Sequence, residues 1–203
     1  MKNRKLRVKI CGITNLRDAL HAIECGADAL GFVFYHQSPR YISPEAAKKI
    51  IDKLPPFVET VGLFVNEGVE TIDTICKYTD ISRAQIHFEV DEESLNQLHE
   101  QVLPVVRVKH PEDIKKFDHR YRLVDIHSDA YGGTGERLDL AWFKGVDCSR
   151  IILAGGLTPE NVHEARAYGF YGVDVSSLSH KGRTAPISWI PILPPIMNSG
   201  TVS

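Results

Sequence analysis

Apolar positions along this chain change period repeatedly. Short runs rich in β-branched and other apolar residues recur at 7–13, 29–35, 59–65, 83–88, 105–109, 122–126, 150–153 and 172–175. Each has the length and composition of a buried strand. Between them the spacing shifts to three and four. Leu16, Ala19, Leu20 and Ile23 share one helical face; Ile72, Ile75 and Cys76 mark a third helix; Leu95, Leu98 and Val102 mark a fourth. End signals accompany the pattern. Asn15 and Asp91 are N-cap residues, Gly26 is a C-cap, and Ser43-Pro44-Glu45 and Thr158-Pro159-Glu160 each place a hydroxyl before proline and an acid. The fifth and sixth amphipathic stretches, 111–117 and 138–144, are short.

Strands alternating with helices imply βαβ units and a parallel sheet. A doubly wound open sheet is the alternative, but no GxGxxG follows the first strand. Eight units is the closing number of a (β/α)8 barrel, although about 25 residues per unit is lean for that fold. The expectation is one TIM barrel over residues 1–203, with an atypical tail at 178–203. In that tail Pro186, Pro191, Pro194 and Pro195 interrupt an apolar set that includes Ile187, Trp189, Ile190, Ile192 and Leu193. Proline in a helix interior costs about 3 kcal/mol, so the eighth helix is expected to be missing or irregular. The tail is then expected to lie extended across the gap outside strands eight and one, or against a second molecule.

Composition narrows the function classes. A hydrophobic share of 43% is that of a globular chain, and the formal net charge of -2 argues against a general nucleic-acid binder. No run reaches the ~18 apolar residues of a membrane span, and no secretory h-region follows the basic start. Cys11, Cys25, Cys76 and Cys148 are widely spaced, without a CxxC, so neither a zinc site nor a disulfide framework is expected. These features point to the cytoplasm, to a small-molecule ligand, and to a monomer or homodimer.

In such barrels the site lies at the C-terminal ends of the strands. Cys11 and Gly12 end the first strand, and the second is followed by Ser38-Pro39-Arg40-Tyr41. The fourth ends at Gln85-Ile86-His87, the sixth at Asp125-Ile126-His127, the seventh at Ala154-Gly155-Gly156, the eighth at Asp174-Val175-Ser176-Ser177. Glycine lets backbone N–H groups approach an anion closely, so the last two ends suit a phosphate. The bland reading of Gly155-Gly156 is a tight turn. Cys25 and Cys76 read as core; Cys11 differs by its position, and would need nearby positive charge to act as a thiolate. Asp125, after Leu123-Val124, is either held by hydrogen bonds or tuned for proton transfer. His87, His110 and His127 fit no short metal motif, and no metal is expected. Lys9 and Cys11 share one face of their strand. A lysine inside a barrel needs a partner, and Asp174 on the neighbouring eighth strand is the expected one.

Taken in order, these segments resemble one family. Val8-Lys9-Ile10-Cys11-Gly12-Ile13-Thr14, Gly31-Phe32-Val33-Phe34, Ser38-Pro39-Arg40-Tyr41-Ile42, Val61-Gly62-Leu63-Phe64-Val65-Asn66, Gln85-Ile86-His87, Tyr131-Gly132-Gly133-Thr134-Gly135, 155–162 and 173–177 are similar to signatures of the phosphoribosylanthranilate isomerases. The resemblance covers roughly residues 7 to 177. It implies an Amadori rearrangement of N-(5-phosphoribosyl)anthranilate in tryptophan biosynthesis, with no cofactor. It implies Asp125 as general acid, Cys11 as general base, and Arg40 as partner of the anthranilate carboxylate. It also implies Gly133, Gly135, Gly155, Gly156, Ser176 and Ser177 as residues closing over the substrate and holding its phosphate. His87 falls on a matching strand end without an assigned role. Leu178 and Phe88 stand where the family usually has glycine. Two other readings stay open at this point: a metal-dependent pentose-phosphate epimerase, and a degenerate barrel that binds a sugar phosphate without turning it over.

Overall fold

The structure, a computed structural model, describes residues 5–99, 101–126, 138–158 and 161–176. Eight parallel strands run β1 (Arg7–Cys11), β2 (Ala29–Val33), β3 (Glu59–Phe64), β4 (Arg83–Ile86), β5 (Gln101–Val108), β6 (Arg122–Ile126), β7 (Ile151–Leu153) and β8 (Gly172–Ser176). They follow one another round a closed barrel, and β1 pairs with β8 in the register Lys9↔Asp174 and Cys11↔Ser176. The barrel expected from the pattern is therefore the fold, and an open doubly wound sheet is not. The C-terminal tail and the expected irregularity of an eighth helix lie outside the described residues.

Helices α1 (Leu16–Glu24), α2 (Pro44–Ile51), α3 (Val69–Thr79), α4 (Glu92–Gln97) and α5 (Val162–Ala167) cover the outside. The caps act where the sequence places them. The side chains of Asn15, Ser43 and Asp91 accept hydrogen bonds from the N–H groups of Asp18, Ala46 and Ser94. Gly26 follows α1 at φ +98, the left-handed region that glycine enters without strain. The turn into α5 begins at Thr158, whose carbonyl accepts from Asn161 and Val162, and the α-helix proper starts at Val162.

Three expectations are corrected. The fourth helix stops at Gln97 because Leu98 is already extended, and Val102 belongs to β5. The run 102–106 is apolar at every position, and strand pairing on both sides, to β4 and β6, outweighs a helical spacing of four. The fifth and sixth connections are 3₁₀ turns, Pro111–Lys115 and Leu140–Phe143. The first of these is fastened from below by Arg122. That guanidinium is buried at 2% exposure and donates twice to the Ile114 carbonyl, at 2.9 and 3.3 Å. Several strands also end earlier than expected, at Cys11, Val33, Phe64 and Ile86. The residues beyond are still tied at the barrel rim: Gly12 and Ile13 both donate to the Gly31 carbonyl, and His87 donates to that of Phe64.

The apolar interior divides in two. A large cluster lies between strands and helices and includes Phe32, Phe64, Ile72, Leu95 and Phe143. A small one, of Leu103, Val105, Leu123 and Ala154, fills part of the barrel itself. Toward the C-terminal ends of the strands the interior is mixed, with Val33 and Val65 beside the buried polar residues Lys9, Gln85, His87 and Asp174. Hydrophobic stabilisation thus sits mainly outside the ring, which leaves the inside available for charged groups.

Candidate active site

A cavity of about 150 Å³ opens at the C-terminal ends of the strands. Cys11, Arg40, His87, Asp125, Gly155, Gly156 and Ser176 all line it, and Asp174 forms part of its floor. The structure therefore gathers every expected site residue among those described. Gly133, Gly135, Ser177 and His127 lie outside the described residues.

Cys11 is the last residue of β1 and is 2% exposed. Burial pushes its thiol above the usual range. The Lys9 ammonium pulls the other way, Asp174 adds to the upward push, and Arg40 opposes it. The expectation of a thiol needing positive charge is met in kind, but burial outweighs it, and the resting group is a thiol.

Lys9 and Asp174 form the ion pair expected from strand neighbourhood, with Nζ to Oδ1 at 2.8 Å and both side chains buried. Burial works against the charge on Lys9. Asp174, with a smaller contribution from Cys11, more than compensates and holds the ammonium above its ordinary range.

Asp125 sits near the end of β6, beside Arg107 of β5 in the register. Its Oδ1 accepts from its neighbour Ile126 at 2.8 Å. Burial, and next the negative charge of Asp174, push its carboxyl up to about 6. This is the direction an acid needs in order to retain a protonated fraction closer to neutral pH than an ordinary carboxylate does. His87 is driven the other way, down to about 4, by burial first and by the Arg107 charge second. It is therefore a neutral imidazole at pH 7.

Arg40 reaches the cavity by crossing Gly12. A Cβ on Gly12 would lie 2.5 Å from Arg40 Cδ, and Gly12 has φ +92, so both space and backbone require glycine there. Ser38 fixes the loop by accepting from the Arg40 N–H at 3.2 Å. Arg40 Nη1 and Gln85 Oε1 are buried and find no hydrogen-bond partner among the described residues. An unpaired buried polar atom carries a desolvation cost, so both are suited to meet a polar ligand. Gln85 has no assigned role in the sequence reading. The signal was its place two residues before His87, on the same strand face.

Gly155 and Gly156 follow β7 at φ +84 and +58. They make the tight turn and also line the cavity, so the turn leaves room for the phosphate expectation. His110 caps the Pro111–Lys115 turn and is exposed, unlike the buried His87. Among the described residues no three His, Cys, Asp or Glu side chains gather as a metal site, and no helix is long and apolar enough to cross a membrane.

Comparison with known proteins agrees with this geometry. The sequence model of the N-(5'phosphoribosyl)anthranilate (PRA) isomerase family matches residues 8–178. An N-(5'-phosphoribosyl)anthranilate isomerase of Sulfurovum sp. (strain NBC37-1) is 74% identical over 172 residues, covering 85% of this chain and 88% of its own. Among solved structures, the phosphoribosyl anthranilate isomerase of Thermotoga maritima superposes with a TM-score of 0.84 at 39% identity, over 93% of this chain and 97% of its own. A phosphoribosyl anthranilate isomerase in complex with reduced 1-(o-carboxyphenylamino)-1-deoxyribulose 5-phosphate gives 0.77 at 38%, over 93% and 96%.

Proposed function

The chain belongs to the N-(5'-phosphoribosyl)anthranilate isomerase family of tryptophan biosynthesis, and from that premise we propose which side chains carry the reaction. The enzyme converts N-(5-phosphoribosyl)anthranilate to 1-(2-carboxyphenylamino)-1-deoxyribulose 5-phosphate, an Amadori rearrangement.

Asp125 is the general acid. Its carboxyl, pushed up to about 6, holds a proton for the furanose ring oxygen; transfer opens the ring and leaves an iminium at C1′. Cys11 is the general base, entering the step as thiolate. It removes the C2′ proton, the electron pair forms the enolamine, and tautomerisation gives the ketone. Arg40, whose Nη1 is buried without a partner among the described residues, takes the anthranilate carboxylate through its guanidinium fork. Gly155, Gly156, Ser176 and Ser177 hold the phosphate, by N–H groups the glycines leave open and by hydroxyls. Gly133 and Gly135 belong to the loop closing over the substrate. His87, neutral, acts as a hydrogen-bonding group and not as a cation, and Gln85 Oε1 accepts a hydrogen bond from a substrate hydroxyl or the anilino N–H.

The observation that carries this reading is one cavity in which a buried carboxyl and a thiol lie on strands separated round the ring, β6 and β1, with a guanidinium beside them. The test follows phosphoribosylanthranilate consumption by fluorescence, with chelator present. Turnover by the unaltered chain and its collapse in both Cys11→Ala and Asp125→Asn is the expected result. Turnover that needs added metal would favour the epimerase-like reading, and binding without turnover the degenerate barrel.

We also infer that the chain forms a homodimer. Phe57 stands fully exposed at φ +69 after Pro55-Pro56, beside a second cavity of about 500 Å³ at the opposite end of the barrel, lined in part by Tyr121, Ile152 and Tyr171. An exposed aromatic beside a hollow with apolar residues in a partly charged lining can meet its own copy across a two-fold axis. A Thermotoga maritima member of the family is described as dimeric.

A further inference from the structure

The proton-transfer groups Cys11 and Asp125 share neighbours. Lys9 lies two residues before Cys11 on the inner face of β1, and Asp174 pairs with Lys9 from β8. Opposite them on β2 is Gly31. A Cβ there would lie 3.0 Å from Cys11 Sγ and 3.0 Å from Lys9 Nζ. The thiol and the ammonium therefore converge on the one point that the missing side chain leaves open. No other residue at 31 would let both atoms keep those positions. Asp174 and Asp125 line the same cavity, and the charge of the one acts on the carboxyl of the other, second only to burial.

Burying a lysine and an aspartate as a pair is weak evidence for stability, since desolvation offsets most of the attraction. Their use is better sought in what they do to the two groups beside them. The working form of the site is a thiolate with a carboxylic acid. Burial alone makes the thiol hold its proton, so that form is a minority of the molecules. Whatever favours the thiolate and keeps the proton on Asp125 enlarges the minority.

We propose that the buried Lys9–Asp174 pair is a positioning device for both proton-transfer groups: Asp174 holds the Lys9 ammonium beneath Cys11, in the clearance kept by Gly31, as counter-ion to the thiolate, while its own carboxylate disfavours a second negative charge on Asp125. This rests on the roles given above to Cys11 and Asp125. The other charged groups facing Cys11 are Arg40 from the β2 loop, which acts with Lys9, and Asp174, which acts against it. Arg107 from β5 and Lys9 act on Asp125 against Asp174, and the neutral His87, just beyond β4, lines the cavity. Lys9 and Asp174 are positioning residues here, because neither needs to touch the reacting atoms.

The test reads the thiol without substrate. In a Cys25→Ser background, alkylation with iodoacetamide across neutral to alkaline pH is followed by mass spectrometry on the peptide that carries Cys11, counted apart from those of the equally buried Cys76 and Cys148. An opposite charge at this range is worth one to three pH units. Lys9→Met should therefore raise the alkylation midpoint by about one unit or more, Lys9→Arg should hold it nearer the unaltered value, and Gly31→Ala should raise it by forcing Nζ and Sγ apart. Asp174→Asn should move the acidic limb of the kcat/KM profile, set by Asp125, to lower pH. Should Lys9→Met fail to fold, Lys9→Met/Asp174→Leu removes both charges, and its midpoint should still rise, by less. A midpoint unmoved in these variants overturns the Lys9 half, and an unmoved acidic limb overturns the Asp174 half. Failure of the base assignment would show separately, as turnover surviving in Cys11→Ala.

Discussion

Replacing Asp125 with asparagine should make the protein more stable, and only above a certain pH. The carboxyl ordinarily loses its proton near 3.8, and in the folded chain it holds it to about 6. Because the folded value is the higher one, the sign is fixed. Below 3.8 both folded and unfolded chains carry the proton and the group costs nothing. Between the two values the unfolded chain ionises freely while the folded chain cannot, and stability falls as pH rises. Above 6 the loss is complete. About two units at 1.36 kcal/mol each gives roughly 3 kcal/mol. The carboxyl keeps a partial opening to the cavity, and water there recovers part of that figure, so we expect about 1–2 kcal/mol. Asparagine carries no charge at any pH and its Oδ1 can still accept from Ile126, the bond made at 2.8 Å. Urea unfolding of both proteins at pH 4 and pH 8 reads the difference directly. Equal stabilities at pH 4 and a more stable variant at pH 8 are expected, alongside turnover lowered by two orders of magnitude or more. A variant that gains nothing between pH 4 and pH 8 would refute the claim that its surroundings raise the Asp125 carboxyl.

Cys11→Ala should fold, by circular dichroism, and lose at least about a hundredfold in kcat in the fluorescence assay. Arg40→Ala should act chiefly on KM, because it removes a contact to a part of the substrate that does not react. Gln85→Leu is nearly isosteric and removes the unpaired Oε1; it should raise KM while leaving thermal stability equal or higher, and a fall in melting temperature would show that Gln85 serves the barrel and not the ligand. Phe57→Asp should leave turnover per chain unchanged under dilute assay and shift the sedimentation coefficient from dimer to monomer.

Much of the barrel was legible because its signals are local. Asn15, Ser43 and Asp91 each bond a backbone N–H three residues on, so their effect needs no knowledge of the rest of the chain. The strand β6 was read at its full extent because Leu123-Val124 is flanked by clear polar limits. Where the reading failed, two periods fitted one segment. Leu95, Leu98 and Val102 satisfy a helical spacing, and only pairing with β4 and β6 decides that Val102 belongs to a strand. The place of Cys11, Asp125 and Arg40 could be read from strand ends. Their charge states could not, since these sum over residues far apart in the chain: Cys11 responds to burial, Lys9, Asp174 and Arg40 together. Gln85 could be placed at a strand end but given no role, because an amide carries no reactive signature; its buried Oε1 without a partner among the described residues supplies one.

The bond between Lys9 and Asp174 spans 165 residues of chain. During synthesis β1 emerges first and β8 last, so for nearly the whole of translation the ring stands open, with the edge of β1 unpaired. In that interval Lys9 has no counter-ion and keeps its ammonium in water, which holds the chemical half of the site apart from its final burial. The arrival of Gly172–Ser176 closes the ring and buries the pair in one event. A nascent chain short of residue 172 can thus hold much of the sheet and its helices while having no functional centre, and competence is acquired with the last strand.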